Sequence, residues 1–148
     1  MAVKAIPDGY HSVTPYLSVP SGEALIEFLE RAFGATVKER LTRPDGAFWH
    51  GEVRIGDSIV MIGEGREDWP PRPGSLYLYV EDTDATYRRA LAAGATSVMQ
   101  PVDVFYGDRN AGVRDPLGNE WWIATHIEDV PRDEMKRRAD AQAAKRAK

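Results

Sequence analysis

Apolar positions follow two rhythms along this chain, and the rhythms come in the same order twice. Val13–Val19 and Ser75–Val80 alternate, with Leu17 and Val19, or Leu76, Leu78 and Val80, on one side and Tyr16 and Ser18, or Tyr77 and Tyr79, on the other. That period of two predicts strands with one buried face. Each stretch meets a polar stop, Pro20-Ser21 or Glu81-Asp82-Thr83, whose short side chains suit a helix N-cap. The rhythm then becomes helical. Gly22–Phe33 places Leu25, Phe28, Leu29, Ala32 and Phe33 on one stripe, and Asp84–Ala93 repeats the pattern less cleanly. Gly34 and Gly94 stand where a left-handed terminator belongs. Strand-like stretches follow each helix. They are Thr36–Leu41, Phe48–Ile55 and Ser58–Ile62 in the first half, and Thr96–Val98, Asn110–Arg114 and Glu120–Thr125 in the second, with a longer connection through Pro101.

The order β-α-β-β-β thus occurs twice, and residue identities mark the duplication. Tyr16-Leu17-Ser18-Val19 answers Tyr77-Leu78-Tyr79-Val80, Gly34-Ala35-Thr36 answers Gly94-Ala95-Thr96, and Arg54 answers Arg114. The reading is one domain over 10–130, made of module one (10–64), a Pro- and Gly-rich linker (63–74) and module two (75–127), followed by a basic helical tail (131–148). One helix covers only one face of a four-stranded sheet, so the other faces must meet across a shared cleft or in a dimer.

Composition narrows the chemistry. The 148 residues include three His and no Cys, which excludes disulfides, thiol nucleophiles and thiolate metal sites. Residues 131–148 hold seven Lys/Arg against three Asp/Glu, a net charge of +4, leaving −8 on residues 1–130. A body this acidic is unsuited to nucleic acid, and no apolar run is long enough to span a membrane. A cytoplasmic address is expected.

Val13-Thr14-Pro15-Tyr16-Leu17, Tyr79-Val80-Glu81-Asp82, Tyr106-Gly107-Asp108-Arg109 and Arg114-Asp115-Pro116-Leu117-Gly118-Asn119-Glu120-Trp121 fall in order at compatible spacings. In them the chain resembles the vicinal oxygen chelate superfamily, and more narrowly the PhnB-like members of its glyoxalase/bleomycin-resistance group. The resemblance implies an α+β fold of two tandem βαβββ modules forming a shared cleft, and a homodimer. It leaves function open, because the superfamily holds metal-dependent lyases, isomerases and dioxygenases beside drug-binding proteins that catalyse nothing. Its metal ligands would fall here on Thr14, Ser75, Val60 and Trp122. None is a His, Asp or Glu, so no cofactor is expected, and a divalent metal only at a displaced site.

If Trp122 faces the cleft, strand parity brings Tyr16, Tyr77 and Tyr79 to the same surface, suited to stacking on a small organic ligand. In Phe48–Ile55, parity sets Trp49, Val53 and Ile55 apart from Phe48, His50, Glu52 and Arg54. His50, Glu52 and Glu120 are the candidates for proton transfer or for a displaced metal site, each competing with an ordinary polar or salt-bridged role. Arg109 could fork onto a ligand carboxylate or phosphate, or fix a turn with Asp108. His11 and His126 are expected at the surface. Binding and sequestration of a drug or metabolite without the usual metal is the first functional expectation. A lyase, isomerase or dioxygenase working through His50, Glu52 and Glu120 is the alternative.

Overall fold

Ser21 and Asp82 start the two core helices in the computed structural model, which describes residues 2–148. The Ser21 hydroxyl accepts from the Ala24 amide (3.2 Å) and the Asp82 carboxylate from the Ala85 amide (3.0 Å), each satisfying an amide that a helix start leaves open. The elements run β1 (Tyr16–Val19), α1 (Gly22–Phe33), β2 (Thr36–Thr42), β3 (Phe48–Ile55), β4 (Ser58–Glu64), β5 (Ser75–Tyr79), α2 (Thr83–Ala92), β6 (Thr96–Asp103), β7 (Asp108–Arg114), β8 (Glu120–His126) and α3 (Arg132–Arg146). Gly34 ends α1 with φ 66°, a left-handed conformation that costs glycine nothing.

The repeat read from the sequence is the repeat of the fold. One sheet has strand order β1-β4-β3-β2 and the other β5-β8-β7-β6, with the first strand of each module parallel to its fourth and the other pairs antiparallel. The helices α1 and α2 pack on their own sheets and on each other. Phe33 of α1 lies 5.0 Å, ring centroid to centroid, from the fully buried Trp121 of β8, so a single core runs through both modules. Half-domains that share a core cannot fold as independent units. The sheet faces opposite this helix layer carry the half-exposed tyrosines: Tyr16 borders a cavity of module one, Trp122 one of module two, and Tyr77 and Tyr79 a third that Ile55 and Ser58 of module one also line.

Two local expectations fail for the same physical reason. The sequence predicts a short strand over Thr96–Val98 ahead of a Pro101 connection, yet β6 continues to Asp103. As an edge strand with register shifts on either side of Met99, it absorbs a proline that lacks an amide donor. A shift between Leu41 and Thr42 likewise reverses the parity at the start of β3. Phe48 turns inward against Gly22 and Gly51 and is buried, while Trp49 is left 59% exposed.

Helix α3 buries no residue. Arg138 moors it, with a bidentate pair to Glu128 (2.8 and 2.9 Å) and a bond to the Phe105 carbonyl (3.3 Å). Among the described residues, no helix is long and apolar enough to cross a membrane.

Candidate functional site

On the outer face of module one, register places Tyr16 beside Met61, Met61 beside Glu52, and His50 beside Gly63. The Glu52 carboxylate is buried, yet fully partnered. Tyr10 donates a short hydrogen bond to Oε1, His50 Nε2 lies 3.0 Å from Oε2, and Lys38 donates to the Tyr10 hydroxyl (2.7 Å). Burial opposes the Glu52 charge, but the bonds from Tyr10 and His50 and the nearby positive charges outweigh it, so its carboxyl sits below the ordinary 4.5. His50 Nδ1 has no hydrogen-bond partner among the described residues. The Tyr16 ring is 6.1 Å from the His50 ring and borders a cavity of about 460 Å³ rimmed by Trp49 and Trp69.

Module two builds a different surface on the same scaffold. Its outer face joins Tyr77 to Trp122, Trp122 to Gly112, Tyr79 to Ala124, and Asp108 to His126. The Asp108 carboxylate, 1% exposed, accepts from the Tyr77 hydroxyl (2.8 Å), the Tyr79 hydroxyl (3.0 Å) and His126 Nδ1 (2.9 Å). His126 Nε2 reaches Asp129 at 2.8 Å. With a carboxylate at each nitrogen, led by Asp129, the imidazole is held above its ordinary 6.5. Burial works against the Asp108 charge, but its three donors prevail and hold it below 3.8. Burial, then the bonds to Tyr106 and Asp108, push the Tyr77 hydroxyl far above 10; the Tyr79 hydroxyl is also raised, with the Asp108 bond the largest cause. Asn110 is buried and donates to the Tyr106 hydroxyl (3.2 Å), leaving its Oδ1 without a partner. The Trp122 ring lies flat enough on Gly112 that a Cβ there would come within 2.6 Å of it.

These networks have different chemical capacities. Asp108, wrapped by three donors, is a stabilised and therefore weak base, and a protonated His126 has no free lone pair. Tyr77 and Tyr79 are held by their bonds to Asp108, and Tyr77 lies beside Trp122, so this face offers aromatic surface rather than a free base. On module one, by contrast, His50 keeps an open nitrogen and a carboxylate that orients its ring.

A sequence profile of the Glyoxalase/Bleomycin resistance protein/Dioxygenase superfamily matches residues 9–123. The chain belongs to that superfamily. An uncharacterized protein of Mycobacterium tuberculosis is 32% identical over 153 residues, covering 96% of this chain and 88% of that protein. TioX from Micromonospora sp. ML1 superimposes with a TM-score of 0.69 at 25% identity, over 79% of this chain and 99% of TioX. A glyoxalase-related enzyme from Fulvimarina pelagi does so with a TM-score of 0.64 at 18% identity, over 83% and 94% of the two chains, a likeness of fold alone.

Superfamily membership invites a test of the metal positions. Thr14 donates its hydroxyl to the His11 carbonyl (3.1 Å) and Ser75 is an exposed hydroxyl. Val60 is buried toward the helices, so Met61 rather than Val60 stands on the outer face, and Trp122 offers no lone pair. This donor set does not fit a divalent transition ion. Among the described residues, no three His, Asp or Glu side chains gather as ligands.

The remaining expected site residues separate. His50 and Glu52 are brought together, but Glu120 belongs to the other sheet, where it pairs with Arg114 at 2.9 Å, so the triad of His50, Glu52 and Glu120 does not assemble. Arg109 is corrected as a ligand anchor. Asp108 and Asn110 face outward, so Arg109 between them turns to α2, forking onto Asp84 (2.6 and 2.9 Å) and reaching Asp103 (2.9 Å). Asp108, expected at most to fix a turn, and His126, expected at the surface, turn out to organise the aromatic face. Parity with Trp122 was the available signal for His126; Asp108 lies on the neighbouring strand, ahead of the stretch the pattern marks, and had none. Tyr10 precedes the first strand and had no periodicity to betray it.

Proposed function

We propose that this protein binds a small planar organic molecule on the β5–β8 face without a metal and holds it without chemical change, as a drug- or metabolite-sequestering protein does. The observation that carries this reading is the Asp108 cluster. It fixes the Tyr77 and Tyr79 hydroxyls beside Trp122, giving an aromatic surface already organised before a ligand arrives. A second copy of the chain is the partner we propose for the outer sheet faces.

A thermal-shift screen of planar metabolites and antibiotics, followed by calorimetry, tests the binding. Any ligand found should lose about tenfold or more in affinity on Trp122→Ala, the scale of an aromatic contact. Unchanged affinity would overturn the assignment of the face. Elemental analysis after growth in metal-supplemented medium tests the metal-free part. One equivalent of nickel, zinc or manganese that disappears on His50→Ala would refute it.

A second reading rests on the open Nδ1 of His50. With Glu52 orienting the ring, His50 could serve as the base of a metal-free lyase or isomerase acting beside the module-one cavity, which its ring neighbour Tyr16 borders. Turnover of a ligand that stops in His50→Ala but persists in Trp122→Ala would favour it over sequestration.

A further inference from the structure

The α3 tail lies beyond the residues that match the superfamily profile, yet one side of it walls the module-two cavity. Glu134, Met135, Arg138, Ala139 and Gln142 are its half-buried positions, at the spacing of a single helix face. Continuing that face one turn beyond Gln142 brings Arg146 into the cavity wall. The cavity measures about 440 Å³, within the size range of small-molecule sites.

Its chemistry is asymmetric. Trp122, Phe105, Met99 and Val102 supply apolar surface, and Asn110 of the same wall has a carbonyl oxygen, buried just behind the surface, that no protein group satisfies. Two charged side chains border it. Asp103 is already paired with Arg109, whereas Arg146 has no ion-pair partner among the described residues. A desolvated acceptor without a donor is costly, and an unpaired guanidinium beside apolar walls favours a planar anion.

Resting on the binding function proposed above, we propose that this cavity selects aromatic carboxylates bearing a hydroxyl or amino group. The ring lies on Trp122, the hydroxyl or amine donates to Asn110 Oδ1, and the carboxylate pairs with Arg146. The tail is thereby a specificity element of the site. Since no residue of α3 is fully buried, a ligand beneath it also strengthens its docking, by the reciprocity of linked equilibria.

The test uses 6-hydroxy-2-naphthoate, whose hydroxyl is too far from its carboxylate to bond it internally, and its neutral amide, 6-hydroxy-2-naphthamide, titrated calorimetrically into the full chain and into the Arg146→Gln and Trp122→Leu variants. The full chain should prefer the carboxylate by about tenfold, as a charge-assisted bond implies. Arg146→Gln should abolish that preference by weakening the carboxylate much more than the amide. Trp122→Leu should weaken both probes. Amide exchange over residues 132–146 should slow when the naphthoate binds to the full chain and not when it binds to Arg146→Gln.

An undiminished preference in Arg146→Gln, with both probes still weakened by Trp122→Leu, overturns the role of the tail and leaves the aromatic-face function standing. Binding of both probes untouched by Trp122→Leu overturns the two together. If neither probe binds the full chain below about 1 mM, this ligand class is refuted, and the wider screen decides the binding function separately.

Discussion

The substitution Asp108→Asn probes the charge at the centre of the aromatic face with almost no change of shape. The carboxyl titrates below 3.8 although it is buried, so its donors outweigh its desolvation and neutralising it must destabilise the fold. The Tyr77 and Tyr79 bonds would each pass from charge-assisted to neutral, at a cost of about 1 kcal/mol apiece, or roughly 2 kcal/mol together. For a domain of this size that corresponds to a fall of about 4–8 °C in Tm. The loss should depend on pH. While His126 is protonated it donates from Nδ1 to Asp108, and an amide nitrogen turned toward it there would oppose donor to donor. Once His126 is neutral, its Nδ1 can accept from the amide nitrogen that the substitution introduces. Urea unfolding of both proteins at about pH 6 and at a pH above the raised His126 value should therefore show the larger difference at the lower pH. A difference equal at both, or larger at the higher pH, would refute the charged Asp108–His126 pair.

Three further outcomes follow from the same geometry. In the unmodified protein, Glu52 and Asp108 have lowered pKa values, so their contribution is complete above their ordinary 4.5 and 3.8 and is lost as pH falls through the folded-state values. His126 is raised, so its contribution is complete below 6.5 and is lost as pH rises through its folded-state value; unfolding curves from about pH 3 to about pH 9 should peak between 4.5 and 6.5. Gly112→Ala drives a Cβ into the Trp122 ring and should cost about 1–3 kcal/mol while weakening any ligand of that face, checked by denaturation and calorimetry; a variant of unchanged stability and affinity would show that the ring is not seated on Gly112. Arg109→Lys removes the fork onto Asp84 and should lower Tm without altering ligand affinity, whereas a selective loss of affinity would restore Arg109 as an anchor.

Most of the fold was legible because each module announces its elements locally. The Ser21 and Asp82 caps, the stripe of α1 and the Gly34 terminator agree with one another, and a period-two strand needs only the identity of its buried side to be placed. Parity failed where the backbone slips by a residue. Phe48 and Trp49 exchanged faces at a register shift, and Val60 yielded the outer face to Met61, because the strand frame in module one cannot be counted from the Gly56-Asp57 turn as it can in module two from Gly118-Asn119. The site was less legible, since its partners come from separated stretches. Tyr77 and Tyr79 meet Asp108 across about thirty residues, and Tyr10 meets Glu52 across 42. The sequence pattern placed Arg109 and Asp108 side by side, and only their opposite directions from β7 separate the salt-bridged residue from the one that organises the face.

The duplication also explains why one scaffold carries two unlike surfaces. Met61 of β4 pairs with Glu52 of β3, and at the matching positions of module two Trp122 pairs with Gly112. A flexible methionine leaves its neighbour room for a carboxylate, and that carboxylate recruits His50 and Tyr10. An indole at the same place demands a neighbour without a side chain, since even a Cβ at 112 would strike the ring, so no carboxylate can stand there. The acid of module two enters instead at Asp108, four residues earlier on the same strand and face, where it can reach the paired tyrosines of β5. Restoring the carboxylate with Gly112→Glu would thus displace Trp122 without recreating the module-one cluster. The choice of tryptophan or methionine on the last strand of each module decides whether its face offers a flat aromatic surface or holds a histidine–carboxylate pair.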